Sequence, residues 1–417
     1  MKKLLALLLA LAMVACLFAG CAKDPEKPSD EKPSEQPSDT KGNEEPSSEP
    51  TGETYKIAMI TDYGDITDQS FNQTTYEACK QFADANSIEF RYYKPTEDST
   101  AARVASIDQA IEEGFNLIVM PGYAFGAAIV EAAPQNPEVK FFALDVAKGD
   151  LLETAVANKG EKYNWDPDSY ELDKYVDMSN VYCVVYQEEL CGYMAGYAAV
   201  KLGYTKLGFL GGMAVPAVQR YGHGFVQGVD AAAKDSGIKV ELKYVYGGQF
   251  NGDADITAVM DTWYAGGTEV VFACGGGIFT SAAEAAKKVN AKVIGVDVDQ
   301  AAIIDGGYGE GMTVTSAMKG LAPATIDTLT DIVKNGNWSK YVGKIATLGL
   351  VSGDDPELNY VQLPMESTQW EDGKFTKDDY KALVKDMFDG KITVSNDTSK
   401  LPDVTNVTID DQGKIKG

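Results

Sequence analysis

Short apolar runs separated by helix-length segments recur along this chain from Tyr55 onward, and no other feature restricts its fold as tightly. Ile57-Ala58-Met59-Ile60, Leu117-Ile118-Val119-Met120 and Phe141-Phe142-Ala143-Leu144 are continuously apolar rather than alternating. A strand that is apolar on both faces must be covered on both, the situation of parallel sheets with helices on each side. Between these runs Phe71, Thr75, Cys79 and Phe82 fall on one helix face, and 101–113 and 125–133 read as further helices. The rhythm begins again at 180–186, with strands at 206–210, 240–246, 269–273 and 292–296. Two such series predict a bilobal α/β protein, each lobe a Rossmann-like parallel sheet, joined by hinge crossovers with a cleft between.

The predicted boundaries are 55–180 plus about 319–345 for the first lobe, and about 181–318 plus part of 346–417 for the second. This body of roughly 360 residues is too long for a single core. Residues 147–178, polar and rich in Asp, Lys and Tyr, read as a surface excursion. Ahead of the body, Met1-Lys2-Lys3 and an apolar run to Leu17 form an export signal, 1–20, too short to span a membrane. Phe18-Ala19-Gly20 then places small residues before Cys21, the expected lipidated residue of a bacterial lipoprotein. Phe18 stands where Leu is usual, and Cys16 is a poorer alternative. Residues 21–54, dominated by Pro, Ser, Glu, Lys and Asp, bury too little to fold and read as a lipidated, disordered linker. The chain is expected outside the cell, anchored by lipid to the outer face of the membrane.

A formal charge of −25 argues against nucleic-acid partners. A single His, His223, rules out a His-rich metal centre, and no metal or cofactor is expected. Cys79, Cys183, Cys191 and Cys274 are scattered and read as core residues, with a disulfide left open. Ligands of such sheets bind at the carboxyl ends of strands. There lie Thr61-Asp62, Gly122-Tyr123, Asp145, Gly212-Met213, Gly248-Gln249-Phe250, Gly275-Gly276 and Asp297, with Lys319 ending a later strand.

The run from Thr61 to Gln73, with Asp68-Gln69-Ser70-Phe71-Asn72, resembles the opening signature of the basic membrane protein family. Glu188-Glu189-Leu190-Cys191-Gly192-Tyr193-Met194-Ala195-Gly196, Gly208-Phe209-Leu210-Gly211-Gly212-Met213, Gly295-Val296-Asp297-Val298-Asp299-Gln300 and Thr315-Ser316-Ala317-Met318-Lys319 extend the resemblance in order. It departs at the insertion after Asp145 and at Gly320-Leu321, where the family tends to be charged. The resemblance implies a type I periplasmic-binding-protein fold and a lipoprotein subunit of an ABC importer, often specific for purine nucleosides. Its partners would be a purine nucleoside and ABC permease subunits, the chain itself being a monomer. Phe71 and Phe250 resemble the two aromatics that sandwich the base, although Phe71 can equally pack its own helix.

Asn72 offers a donor and an acceptor to a purine edge, or to local backbone. Asp145 is a carboxylate at the end of a buried strand, either a partner of base N–H groups or a structural cap. Asp297 and Lys319 can hold a ribose diol or pair with each other, and Gly276 either admits the sugar to the backbone or makes a tight turn. Asp62, at the end of the first strand, completes the ligand-binding candidates, none of them catalytic. Gln219 and Arg220, in the helix after Gly212, are weaker cleft candidates, more often part of a solvated face. Gly275-Gly276-Gly277 lacks the Lys and spacing of a P-loop, Gly222-His223-Gly224 reads as helix packing, and Asp297 with Asp299 makes a weak metal pair. The rival functions are a sugar-binding or sensor lipoprotein of the same fold and, less favoured, a nucleoside-cleaving enzyme using Asp145 and Asp297 as acid and base.

Overall fold

The apolar runs become the strands of two sheets. The computed structural model describes residues 54–416; the expected signal segment, Cys21 and the linker as far as residue 53 lie outside them. The first sheet contains β1 (Ile57–Ile60), β2 (Phe90–Tyr93), β3 (Leu117–Pro121), β4 (Lys140–Leu144), β5 (Val181–Tyr186) and β11 (Lys344–Leu348). Their order is β11-β5-β4-β3-β1-β2, with every described pairing parallel. The second sheet contains β6 (Lys206–Gly211), β7 (Val240–Tyr246), β8 (Val270–Cys274), β9 (Lys292–Asp297), β10 (Thr313–Lys319), β12 (Val361–Gln362) and β13 (Val407–Lys414). Its order is β12-β10-β9-β8-β6-β7-β13, and only the short β12 runs antiparallel to its neighbour among the described strands. β1, β3 and β8 are buried along their whole length, as continuous apolarity requires.

Two expectations need correction. Val181–Tyr186 was assigned to the second lobe, but Phe141 to Leu144 pair in register with Val181 to Val184, so this strand extends the first sheet and the chain crosses only after Tyr186. Residues 147–178 are more than a surface excursion, because the helix Lys148–Asn158 buries Leu151, Leu152, Ala155 and Val156. It packs against Phe125–Ala132 as the covering helix that joins β4 to β5. Its apolar stripe was masked by the polar residues that follow. The four cysteines within the described residues are buried, as the core reading requires, and free, which closes the open question of a disulfide among them.

The chain passes between the sheets after Tyr186, Lys319 and Leu348, and the three crossings are tied together. Gln187 N–H donates to Leu348 O at 2.9 Å, Gly320 N–H to Tyr360 O at 2.7 Å, and Tyr360 N–H to Gly349 O at 3.0 Å. Next to this seam the helices Glu188–Lys201 and Pro216–Ser236 cross at backbone contact. Gly192 and Gly196 face one way, Gly224 and Gly228 the other; a Cβ on Gly224 would lie 2.0 Å from the Glu189 carbonyl oxygen. Only glycine permits an approach this close. That is the packing use expected of Gly222-His223-Gly224.

Candidate functional site

A cavity of about 290 Å³ opens where the carboxyl ends of the two sheets meet, and all eight candidate residues line it. The first wall is the β1–helix turn. Asp62 Oδ1 accepts from the N–H groups of Tyr63 (2.7 Å) and Gly64 (2.9 Å), a turn closed by its own side chain. Burial pushes the Asp62 carboxyl above its ordinary range. The helix Phe71–Asn86 is started by Asp68, whose carboxylate accepts from Ser70 N (3.0 Å), Asn72 N (2.9 Å) and Gln73 N (3.1 Å). Relieved of capping, the Ser70 hydroxyl donates across the cleft to Asp297 Oδ2 at 2.6 Å. Asn72 Nδ2 donates to Asp68 at 3.1 Å, while Asn72 Oδ1 is buried without a protein partner.

Asp145 and Asp297 occupy corresponding places, each just past or at the end of a central strand. Both have left-handed backbone, φ 59° and 65°. Asp tolerates this region better than most residues, at a local cost. The kink places both carboxylates in the cavity wall, where they meet Lys319. The Lys319 ammonium is hydrogen-bonded to Asp145 Oδ2 and lies 3.6 Å from Asp297 Oδ1 and 3.5 Å from Glu188 Oε1. Burial alone would push Lys319 down, but Asp145, Asp297 and Glu188 reverse this and hold the ammonium well above its ordinary value. Burial raises Asp145 to about 6 against the pull of Lys319, so at neutral pH it is ionised. Its Oδ1 has no protein partner.

Of the two weaker cleft candidates, Arg220 is the one the structure brings into the site. Instead of facing solvent it lines the cavity, and its Nε–H donates to Glu188 Oε2 at 2.6 Å, the Glu188 side chain being fully buried. The signal available in the sequence was its position, one turn into the helix that follows the carboxyl end of β6. Glu188 had no role assigned to it, though it stands at the first residue past a crossing, between Lys319 and Arg220. Asp150 of the covering helix also reaches the cavity, its carboxyl raised by burial to about 7. Gln219 is absent from the lining.

The second wall carries Phe250. Its ring rests on the backbone of Gly212 and Gly275: a Cβ on Gly212 would sit 2.4 Å from the ring, and one on Gly275 2.9 Å. Gly276, at φ 50°, makes the turn behind it and lies against the Phe250 carbonyl. Phe71 and Phe250 are both half-buried and both border the cavity. The Lys319 ammonium is 4.6 Å from the centre of the Phe71 ring. The Phe71 ring and the charged groups Lys319, Asp145 and Asp297 therefore share one region of the lining, with Arg220 also in it, Glu188 buried behind them and Phe250 on the second wall.

Two mainly parallel sheets joined by three crossings, with a cavity of aromatic and charged residues at their facing carboxyl ends, have the architecture of a two-lobed solute-binding protein. A solute-binding protein of an Aeropyrum pernix K1 ABC transporter system superposes with a TM-score of 0.59 at 20% identity, covering 82% of this chain and 88% of that one. One from Conexibacter woesei gives 0.59 at 21%, covering 82% and 99%. At these identities the likeness concerns the fold. Residues 55–367 match the Bmp family, described as ABC transporter substrate-binding protein PnrA-like, and the chain belongs to that family. Among curated relatives, the ABC transporter nucleoside-binding protein BmpA of Lactococcus lactis is 27% identical over 81% of this chain and 88% of its own. Basic membrane protein B of Borreliella burgdorferi is 26% identical over 73% and 81%. The chain is thus an ABC transporter substrate-binding protein; among its described residues no helix is long and apolar enough to cross a membrane.

Proposed function

We propose that this protein captures a purine nucleoside in the cleft and delivers it to an ABC permease, tethered to the outer face of the membrane through lipid on Cys21. The observation that carries the reading is one small cavity lined both by two half-buried rings, Phe71 and Phe250, and by carboxylates grouped around the Lys319 ammonium. The base lies between Phe71 and Phe250, with Asn72 and Asp62 at its edge. Asn72 Oδ1, left without a protein partner, suits a base N–H. The ribose hydroxyls lie against Asp297, Lys319 and the free Oδ1 of Asp145. A volume of about 290 Å³ suits one small molecule rather than a polymer. The nucleoside-binding name carried by the Lactococcus relative supports the same reading.

Asp145 and Asp297 are both engaged by the one Lys319 ammonium, whereas cleavage would need an acid and a base free to face one bond; this favours capture over cleavage. Closure follows because a ligand touching both sheets stabilises the shut form. Calorimetric titration with adenosine, guanosine, inosine, cytidine and ribose tests the reading. Purine nucleosides should bind tightest, and Phe71→Ala should weaken them by about 1–3 kcal/mol, the usual worth of one stacking contact, while sparing free ribose. Equal loss for ribose, or sugar release from inosine, would reject it. For the tether, Cys21→Ser should move the protein from the detergent phase to the aqueous phase on Triton X-114 partition; unchanged partition would remove the lipid from the proposal.

A further inference from the structure

The loop that carries Phe250, residues 247–253, is braced from outside by the C-terminal segment. β13 pairs in parallel with β7, from Val407 opposite Val240 to Lys414 opposite Tyr246, so it ends at the same edge of the sheet as the cleft. There the Ile415 N–H donates to Tyr246 O at 2.8 Å. The main chain of Lys416 then lies against Gly248, φ 85°, so closely that a Cβ on that glycine would be 2.8 Å from the Lys416 carbonyl oxygen. The Lys416 ammonium is hydrogen-bonded to Asp253 and stands 3.4 Å from Asp255 Oδ2.

Asp253 is the hub of this loop. Its Oδ1 accepts from Asp255 N and Ile256 N, both at 3.0 Å, which starts the helix Ala254–Ala265. Its Oδ2 accepts from Gln249 Nε2 at 2.7 Å, and the same amide reaches Asn251 O at 2.9 Å. These bonds close a ring around Phe250 from the residues on either side of it. Lys416 completes the ring from a segment beyond residues 55–367, the part of the chain that matches the family.

We propose that Lys416 is a positioning residue for ligand binding: with β13 it holds the 247–253 loop so that the Phe250 ring is seated on Gly212 and Gly275 before ligand arrives. Pre-ordering a loop raises affinity because the cost of fixing it is not met at the moment of binding. An exposed ion pair adds little to global stability, so the effect belongs to the loop and not to the fold. The inference rests on the reading of the cleft as a nucleoside site, and the test separates the two.

Lys416→Met and Lys416→Arg are compared with the unaltered protein. Amide hydrogen exchange is measured without ligand, and inosine binding by calorimetry. The Lys416 side chain is 34% exposed, so the Met variant is expected to fold with an unchanged melting temperature. Exchange in 247–253 should quicken severalfold while 270–274 is unchanged. Inosine should bind about three- to tenfold more weakly, as expected when an ordered loop is loosened. Lys416→Arg should restore both. Unchanged exchange, or faster exchange with unchanged affinity, overturns the positioning role. If the unaltered protein binds no nucleoside, the ligand reading fails, and the exchange rates alone decide whether the brace exists.

Discussion

Replacing Lys319 by Met separates a buried cation that organises the cleft from one that merely fills it. The Lys319 side chain is 3% exposed and lies within 3.6 Å of three carboxylates, of which Glu188 is fully buried and Asp145 and Asp297 are 10% and 8% exposed. Breaking a buried pair from one side leaves an uncompensated charge and costs about 3–5 kcal/mol. With an unfolding entropy near 2.1 cal/mol/K per residue over roughly 360 residues, that is a fall of about 4–7 °C in melting temperature.

The pH dependence gives the sharper reading. Asp145 is already raised by burial from 3.8 to about 6, and a carboxyl raised on folding destabilises the protein once it ionises. The penalty is absent below the unfolded value near 3.8 and complete above the folded value. Removing the ammonium takes away the main downward pull on Asp145, so its folded value climbs and the penalty at high pH grows. Calorimetric melts should therefore show Lys319→Met losing more stability at pH 8 than at pH 5. Adding Asp145→Asn should recover part of the loss at pH 8, since removing both partners costs less than removing one. An equal loss at both pH values with no recovery would show that Lys319 acts through packing of its alkyl chain, and the charged-cluster account would be wrong.

Two further outcomes follow from single contacts. Ser70→Ala removes a 2.6 Å charge-assisted hydrogen bond that joins the two halves across the cleft. At about 1.5–3 kcal/mol for such a bond, affinity for every nucleoside should fall roughly ten- to hundredfold without change in base preference; small-angle scattering should show a more open ligand-free form, and an unchanged profile would contradict the latch. Gly224→Ala drives a Cβ to within 2.0 Å of the Glu189 carbonyl oxygen, and overpacking of this kind costs about 1–3 kcal/mol or more. Its melting temperature should drop while Gly237→Ala, a helix-end glycine with open space at φ 65°, shows only the smaller cost of its backbone conformation.

The sheets were legible because continuous apolarity is a direct consequence of burial on both faces, and β1, β3, β4 and β8 show it. β5 is equally apolar, but its membership of the first sheet rests on register with β4, which no local pattern encodes. β13, Val407–Lys414, was hidden for the opposite reason: an edge strand reading VTIDDQGK has mostly exposed side chains and carries no strand-like run. Within the cleft, Asp145 and Asp297 stood out as charged residues ending apolar strands. Arg220 and Glu188 did not, because their burial depends on each other and a charged residue on a helix ordinarily faces water. Phe250 was visible beside its glycines, whereas the Lys416–Asp253 brace joins residues 163 apart in sequence.

The charged cluster also explains why the cleft lies at the crossings and not elsewhere along the sheets. Glu188 directly follows the first crossing and Lys319 directly precedes the second, so any movement of one half against the other passes through Lys319, which lines the cavity, and Glu188, which is paired with it. Asp145 comes from the first sheet and Asp297 from the second, and one ammonium is held between them. A motion that parted the two sheets would separate these carboxylates and leave at least one of them without the cation. On the proposed function, a ligand hydroxyl placed between Asp297 and Lys319 would keep the cluster satisfied while the halves are shut, the differential interaction that population shift toward a closed form requires. If closure were instead driven by ring stacking alone, Lys319→Met would lower stability yet leave the ratio of nucleoside to free-base affinity unchanged. On the cluster account that ratio collapses, because the pentose loses its partners while the base keeps both rings.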